Sequence, residues 1–474
     1  MTAQEVLDLI KRNQIEMVDF RIVDVPGRQH HVTVPAVEVD LEMLENGIAF
    51  DGSSIQGFRG IEESDMVMRP VLESAYVDPF MAAPTLGLMC TVYEPNGTRY
   101  ERDPRFIAEK AEKFLQDSGI ADAAYFGPEL EFFLLDDVRY DSSPSGAFYA
   151  IDSEEAFWNS GRGGEANLAY KVKNKGGYFP LPPTDTQQDI RTEIVKELMK
   201  AGIRVERHHH EVATAGQAEI NFRFHTLTKT GDTVMMYKYI VRQVARKYGK
   251  VATFMPKPIL GDNGSGMHVH QSLFNGNQPL FFEEGQYGNL SALARHYIAG
   301  ILSHAPALLA FANPSTNSYK RLVPGFEAPI NLVYSKGNRS AAIRVPVAAV
   351  TPKSARIEFR TPDGTANPYL AFAAMLMAGL DGIERKLDPT QLGFGPIDKN
   401  IYELSAEEKA SIQNVPGSLE EALDALQADH EFLLRGGVFT KDFIQNWIDL
   451  KRSSEVQPLA QRPHPYEFHL YLDL

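Results

Sequence analysis

Val6, Leu9 and Ile10 recur at helical intervals behind Thr2, and Glu5 stands at capping-box spacing from that threonine, so the chain opens on a short amphipathic helix. Asp19 to Val25 reads as a strand, Pro26-Gly27 as a turn and Gln29 to Val34 as the returning strand. Leu86 to Tyr93, Asn96-Gly97 and Thr98 to Arg102 mark a second hairpin, making the first part of the chain a small strand-rich unit. Asp103-Pro104 then sets a capping residue before a proline at the first helical position. Phe106, Ile107, Ala111, Phe114 and Leu115 form one face until Gly119 stops the helix. The domain boundary is expected there, giving units of 1–103 and 104–474. Further helices are predicted at 189–201, 232–248, 289–304 and 366–380, and strands at 124–135, 204–211, 218–225, 267–274, 341–347 and 356–360. Strand pairs mixed with helices, without regular alternation, predict an α+β fold with an antiparallel sheet.

Composition narrows the class. With 474 residues, 43% hydrophobic and 23% charged, the chain is no disordered, collagenous or disulfide-stapled scaffold. Its 47 basic and 62 acidic residues give a net charge of −15, which repels phosphate backbones and anionic lipid, so neither nucleic acid nor a membrane surface is an expected partner. Cys90 is the single cysteine, and the N-terminus lacks the basic start and apolar stretch of a secretory signal. A cytoplasmic address is therefore expected. The most apolar stretch, Tyr369 to Leu380, is far short of the ~20 residues that span a bilayer.

The candidate chemistry lies in the second unit. Glu129 and Glu131 sit two apart in an otherwise apolar strand, so both project from one face, where two like charges are costly without a cation. Glu211 and Glu219 bracket a turn at Gly216, and a hairpin there could bring both carboxylates to one side. His268 and His270 alternate after the glycine-rich stretch Gly261 to Gly266, and Glu358 and Arg360 alternate further on. Either histidine, taken alone, is better explained as a hydrogen-bonded core residue. Five glutamates and an imidazole together suit a hard divalent cation, Mg2+ or Mn2+, better than zinc. The glycine-rich stretch could approach an anion, yet no P-loop sequence occurs anywhere. Arg321, Arg339, Arg344, Lys353, Arg356 and Arg360 concentrate cations in an acidic chain, a pattern that suits recognition of carboxylate and phosphate oxygens.

Phe50-Asp-Gly-Ser-Ser-Ile-Gln-Gly-Phe58 with Glu63-Ser-Asp65, and Lys257-Pro through Asn263-Gly-Ser-Gly-Met-His268-Val-His270-Gln-Ser272, resemble the two diagnostic stretches of glutamine synthetases. His208-His-His-Glu-Val-Ala-Thr-Ala-Gly216 and Asn317-Ser-Tyr-Lys-Arg-Leu-Val-Pro-Gly325 strengthen the resemblance to the bacterial type I enzymes. The resemblance implies a β-grasp-like N-terminal domain, a larger catalytic domain whose curved antiparallel sheet is flanked by helices, and two stacked hexameric rings with active sites between subunits. It implies ATP-dependent amidation of glutamate by ammonia through a γ-glutamyl phosphate, with two divalent cations. By resemblance, Glu131, Glu211 and Glu219 hold one cation, and Glu129, His268 and Glu358 the other. Glu206, Phe222, Arg223, Phe224, His270, Ser272, Arg339, Arg344, Lys353 and Arg356 resemble nucleotide contacts. Asn263, Gly264, Arg321, Arg339 and Arg360 resemble the residues that hold glutamate and its phosphorylated form, with Arg339 touching both ligands.

Asp51 resembles the residue lent by a neighbouring subunit to take a proton from ammonium, with Ser54 beside it, and Glu327 resembles a flap carboxylate that excludes water. The apolar, alternating tail 463–474 resembles a segment that inserts into the opposite ring. Asp398-Lys-Asn-Ile-Tyr402 resembles a loop whose tyrosine is adenylylated in some relatives. Here the connection from Lys386 is longer and Ser405 replaces a proline, and a small basic inhibitory protein is the other regulatory expectation. Two competing readings keep the fold: a γ-glutamyl-amine ligase, against which Asp51 and Glu327 speak, and a non-catalytic homologue, against which all six cation ligands speak.

Overall fold

The computed structural model describes residues 1–474 except 165, 325–327, 348–350, 400–403, 406, 408 and 409. The opening helix Ala3–Arg12 forms as its sequence dictates, with the Thr2–Glu5 capping box closed and Val6 and Ile10 buried. Behind it lies a six-stranded sheet built from β1 (Met17–Val23), β2 (Gln29–Pro35), β3 (Ile48–Asp51), β4 (Asp65–Pro70), β5 (Tyr76–Asp78) and β6 (Thr85–Tyr93). The order is β2-β1-β6-β4-β3 with β5 also on β6, and β1 and β6 run parallel. The expected return strand at Thr98 to Arg102 shrinks to a single bridge between Tyr93 and Arg99.

Asp103 ties this sheet to the helix Pro104–Ser118. Its side chain caps that helix through Arg105 N, while also accepting from Val92 N at 2.9 Å and Thr91 Oγ1 at 3.1 Å. Arg105 forks onto Asp232 at 3.0 and 3.1 Å, and Asn367 donates to the carbonyls of Asp24 and Val25. Buried side chains on both sides of residue 103 pack into one continuous core.

The second sheet contains β7 (Ala123–Leu135), β10 (Val205–His210), β11 (Gln217–Phe222), β12 (His225–Thr226), β13 (Val251–Thr253), β14 (Met267–Asn275), β15 (Gln278–Pro279), β16 (Asn331–Ser335), β17 (Ala341–Arg344) and β18 (Ile357–Phe359). A separate hairpin, β8 (Asp137–Ser143) with β9 (Gly146–Asp152), stands off it. The order is β10-β11-β7-β14-β18-β17-β16, antiparallel except for the edge pair β16–β17, which is parallel where an antiparallel sheet was expected. β7 is the hub, pairing with β11, β12, β13 and β14. One of its faces lays Phe126 on Phe372 (5.1 Å between ring centroids) and Phe132 near Tyr237, against the helices Pro368–Glu384 and Leu227–Lys247. The other face carries Glu129 and Glu131, as the period of two requires.

Several bounds differ from expectation. The helix Leu227–Lys247 starts earlier than 232, and Ala292–Ala312 runs on through Pro306 because the residues around the proline are buried and packing outweighs one lost hydrogen bond. The latter helix crosses Pro368–Glu384 at glycines: a Cβ on Gly300 would stand 2.1 Å from the Ala378 carbonyl oxygen. β11 stops at Phe222, three residues short of the expected end, as Arg223 and Phe224 turn out toward solvent. The tail is helical over Pro465–Tyr471, started by His464 and Pro465, whereas its alternation suggested an extended strap. Tyr466, Phe468, Tyr471 and Leu472 on it are exposed. Among the described residues no helix is long and apolar enough to cross a membrane.

Candidate active site

Adjacent strands bring the acidic residues together in register. Glu219 on β11 lies opposite Glu131 on β7, and His268 on β14 lies opposite Glu129; β18 then sets Glu358 opposite His270, and β17 sets Arg344 opposite Glu358. A cavity of about 790 Å³ opens over this face. It is lined by all six expected cation ligands and by Asn263, Gly264, Arg321, Arg339, Arg344 and Arg360. Two close approaches explain the glycines of its wall: a Cβ on Gly264 would lie 2.4 Å from the Pro256 carbonyl oxygen, and one on Gly266 2.6 Å from the Arg321 guanidinium.

The carboxylates are crowded. Glu131 accepts from Gly266 N at 3.1 Å and Gln217 Nε2 at 3.3 Å, yet burial and the charge of Glu219 push its pKa up to about 7. Burial, with Glu131 and Glu219 nearby, pushes Glu211 up to about 9. His209 stands between the two β10–β11 carboxylates, with Nδ1 3.6 Å from Glu211 and Nε2 3.4 Å from Glu219, and Phe179 packs edge-on against its ring. This histidine was not among the residues expected from the sequence.

On the other half of the cavity, Arg356 donates to His270 Nδ1 at 3.3 Å, so Nε2 carries the ring proton and donates to Glu129 at 3.2 Å. Burial alone would raise Glu129, but that hydrogen bond and the nearby imidazoles hold it below the usual carboxylate range. Glu358 is 1% exposed and accepts from Arg344 at 2.7 Å and from Arg360 at 2.5 Å. His268 is driven down to about 3 by burial and by Arg360, so it is a neutral imidazole with Nδ1 3.6 Å from Glu358. A hard divalent cation fits this donor set: clustered carboxylates that resist losing their protons, and an imidazole kept neutral. Donor atoms of Glu129, His270 and Glu358 lie within 4.8 Å of one another, as do those of His209, Glu211 and Glu219. The geometry therefore adds His209 and His270 as nearby donors to the expected His268 and Glu131.

A second cavity of about 560 Å³ adjoins the first, with Glu129, Arg207, His270 and Arg356 in both linings. It gathers Glu206, Phe222, Arg223, Phe224, Ser272 and Lys353, while Arg344 and Arg339 belong to the first cavity. Tyr125, edge-on to Phe224 at 5.4 Å, also lines it and was not foreseen. Arg321 is more enclosed than a simple ligand clamp, since its guanidinium donates to the carbonyls of Thr361 (2.7 Å) and Arg360 (3.2 Å).

Asp51 and Ser54 line neither cavity of their own chain. Asp51 is exposed at the end of β3, and hydrogen bonds from Ser53 (2.6 Å from Oγ, 2.8 Å from N) and from Ser54 Oγ (3.2 Å) keep its pKa low. Glu327 and Tyr402 lie outside the described residues.

Residues 101–471 match the family of glutamine synthetase catalytic domains, and residues 14–95 match that of glutamine synthetase beta-Grasp domains. A glutamine synthetase of Microchaete diplosiphon is 54% identical over 473 residues, covering 100% of this chain and 99% of the relative. One of Streptomyces filamentosus is 55% identical with the same coverage. The Plasmodium falciparum glutamine synthetase structure superposes with a TM-score of 0.90 at 33% identity, and a GmaS/ADP complex with 0.82 at 27%, each covering 99% of both chains. Fold and site together define a ligase with a β-grasp module and a curled-sheet catalytic domain. The chain belongs to the glutamine synthetase family. Its activity is the ATP-dependent formation of glutamine from glutamate and ammonia, with divalent metal ions as cofactors.

Proposed function

We propose that domains 1–103 and 104–474 act as the β-grasp and catalytic units, and that the 790 Å³ cavity is where glutamate is phosphorylated and then amidated. The observation that carries this is the cross-strand register, which sets Glu131 against Glu219 and Glu129 against His268 on one cavity wall. Glu131, Glu211 and Glu219 would hold one divalent cation, and Glu129, His268 and Glu358 a second, either Mg2+ or Mn2+. When bound, such ions neutralise the phosphoryl group in transfer.

The chain's own residues do the rest. Phe222, Phe224, Ser272 and Lys353 enclose the nucleotide, and its phosphates would lie toward Arg356, which lines both cavities, and Arg344, which lines the first. Asn263, Gly264, Arg339 and Arg360 hold glutamate, and Arg321 braces that wall through its carbonyl contacts. A carboxylate is a poor electrophile, so its oxygen must first become a leaving group as a γ-glutamyl phosphate; attack by ammonia on the carbonyl carbon then expels phosphate. The reading is tested by following ADP release with glutamate and either ammonium or a panel of primary amines. Ammonium is the expected acceptor, and a preference for a larger amine would overturn it.

The same reading makes each active site composite. Asp51, ionised and outside its own chain's cavities, would take the proton from ammonium in a neighbouring subunit, within two hexameric rings that the exposed apolar helix Pro465–Tyr471 helps to join. Inactive Asp51→Ala and Glu327→Ala subunits, co-expressed so that they share rings, are then expected to regain activity in a fraction of their sites. Mixed oligomers, verified by mass spectrometry, that stay inactive would count against a shared site.

A further inference from the structure

A separate cavity of about 700 Å³ lies between the β1–β2 turn and the helix Leu227–Lys247, and it shares no lining residue with the two catalytic cavities. Its cations exceed its carboxylates. Lys238 and Arg242 stand one helical turn apart, and Arg28 enters from the β1–β2 turn. Asp19 also lines the space, but it is occupied by Arg21 and His31, each at 2.6 Å, and by Thr33 at 2.8 Å. Glu455 is held by Lys451.

Among the described residues no carboxylate is paired with Arg28, Lys238 or Arg242. Lys238 is only 5% exposed, and its ammonium makes a single hydrogen bond, 3.2 Å to the Ala366 carbonyl. The carboxylate whose field reaches it, Asp363, accepts instead from Asn313 at 2.9 Å and from Thr365 N at 2.9 Å. Burial and the neighbouring Arg242 push Lys238 down to about 7. A buried ammonium facing a guanidinium either gives up its proton or is held charged by an anion that joins the two. Met235, Phe254 and Met255 add an apolar side to the same space, and the Arg242 guanidinium lies 5.3 Å from the Phe254 ring centroid.

We propose that this cavity is a regulatory ligand site for a small polyvalent organic oxyanion, a phosphate ester or polycarboxylate, held between Arg28, Lys238 and Arg242. The cavity wall is continuous with the catalytic one. Phe254 and Met255 run into Pro256, whose carbonyl accepts from Ser265 N at 2.8 Å, and Asn263 and Gly264 of that loop line the catalytic cavity. On the other side Gly364 packs on Phe254, a few residues after the carbonyls that hold Arg321. An anion that draws Lys238 and Arg242 together thus bears on the proposed glutamate wall through both segments.

The test is isothermal titration of the oligomeric enzyme with fructose 1,6-bisphosphate, citrate or inorganic phosphate, with excess Mg2+ and the catalytic cavities filled by ADP and glutamate. At least one probe is expected to bind with Kd below ~5 mM. Arg242→Ala is expected to weaken it at least tenfold and Arg242→Lys to recover most of it, with anion-free kcat changed less than twofold. Preference for the bisphosphate or for citrate separates the two ligand types. Absence of binding by every probe, or equal Kd in wild type, Arg242→Ala and Arg28→Ala, would overturn the site. The regulatory role rests on the glutamate assignment above, whereas binding does not. A bound anion should shift the glutamate KM in wild type but not in Arg242→Ala, and binding with no such shift would overturn the regulatory role alone.

Discussion

Glu358→Gln is expected to lower turnover by at least ~10^3-fold, the upper range for losing one preorganised electrostatic group. Glu358 is the acceptor around which half of the catalytic cavity is built. Arg344 and Arg360 donate to its two oxygens, and His268 stands 3.6 Å away. Burial alone would favour its protonated form, but Arg360, the two imidazoles and Arg344 hold it well below the usual carboxylate range. The amide keeps the shape and removes the charge, so one cation loses a ligand while two guanidinium groups lose their counter-charge. Alanine would add a hollow and leave buried arginines uncompensated, at a stability cost of about 3–5 kcal/mol. Calorimetric titration of Mn2+ is the direct check. One of two sites should vanish from the glutamine variant, with glutamate binding less affected, and two sites of unchanged affinity would remove Glu358 from the ligand set.

Affinity for the other cation should depend steeply on pH. In the metal-free protein burial and Glu219 hold Glu131 up to about 7, and burial with Glu131 and Glu219 holds Glu211 up to about 9, so both carry protons over much of the neutral range. A cation must displace those protons, and its affinity is expected to rise by up to ~10-fold per pH unit per proton released, between about pH 6 and 9. Stability follows with the opposite sign. These carboxyls bind protons more tightly folded than unfolded, so the metal-free fold weakens as pH rises from the ordinary glutamate value of 4.5 through 7 toward 9. Mn2+ should remove that loss. Melting temperatures against pH, with and without Mn2+, show it directly, and Glu211→Gln should flatten the metal-free curve. Equal slopes in the presence and absence of metal would mean that these carboxylates do not share a cation.

What was legible in the chain was whatever a local pattern encodes. The helix Pro104–Ser118 has its cap, its proline and its terminal glycine in the sequence, and it forms as expected. Glu129 and Glu131 stand out because charge interrupts an apolar strand, and the structure sets both on one cavity wall. The hairpin β8–β9 went unread because most of its residues are exposed: its one apolar face, Val138 and Tyr140 across from Ile151 and Tyr149, reaches the core only at its base, through Val138 and Ile151. The parallel edge pair β16–β17 depends on distant strands closing around it. His209 was hidden among three consecutive histidines. Alternation on β10 does separate them, placing His209 with Glu211 on the cavity face and His210 on the other, against Glu155 at 3.2 Å. The period of two that singles out Glu129 and Glu131 singles out His209 as well. Arg321 looked like a free cation because its carbonyl partners, from Arg360 onward, come from another strand's end.

The hub strand β7 has one further consequence, which concerns time. The residues it gathers around Glu129 and Glu131 come from strands made much later, up to β18, so the cation-binding face cannot exist until pairings between distant parts of the chain have closed. Such non-local pairing is the slow part of folding. Capture of a paramagnetic ion such as Mn2+ can therefore serve as a clock, reporting the completion of the sheet after the earliest helices have formed.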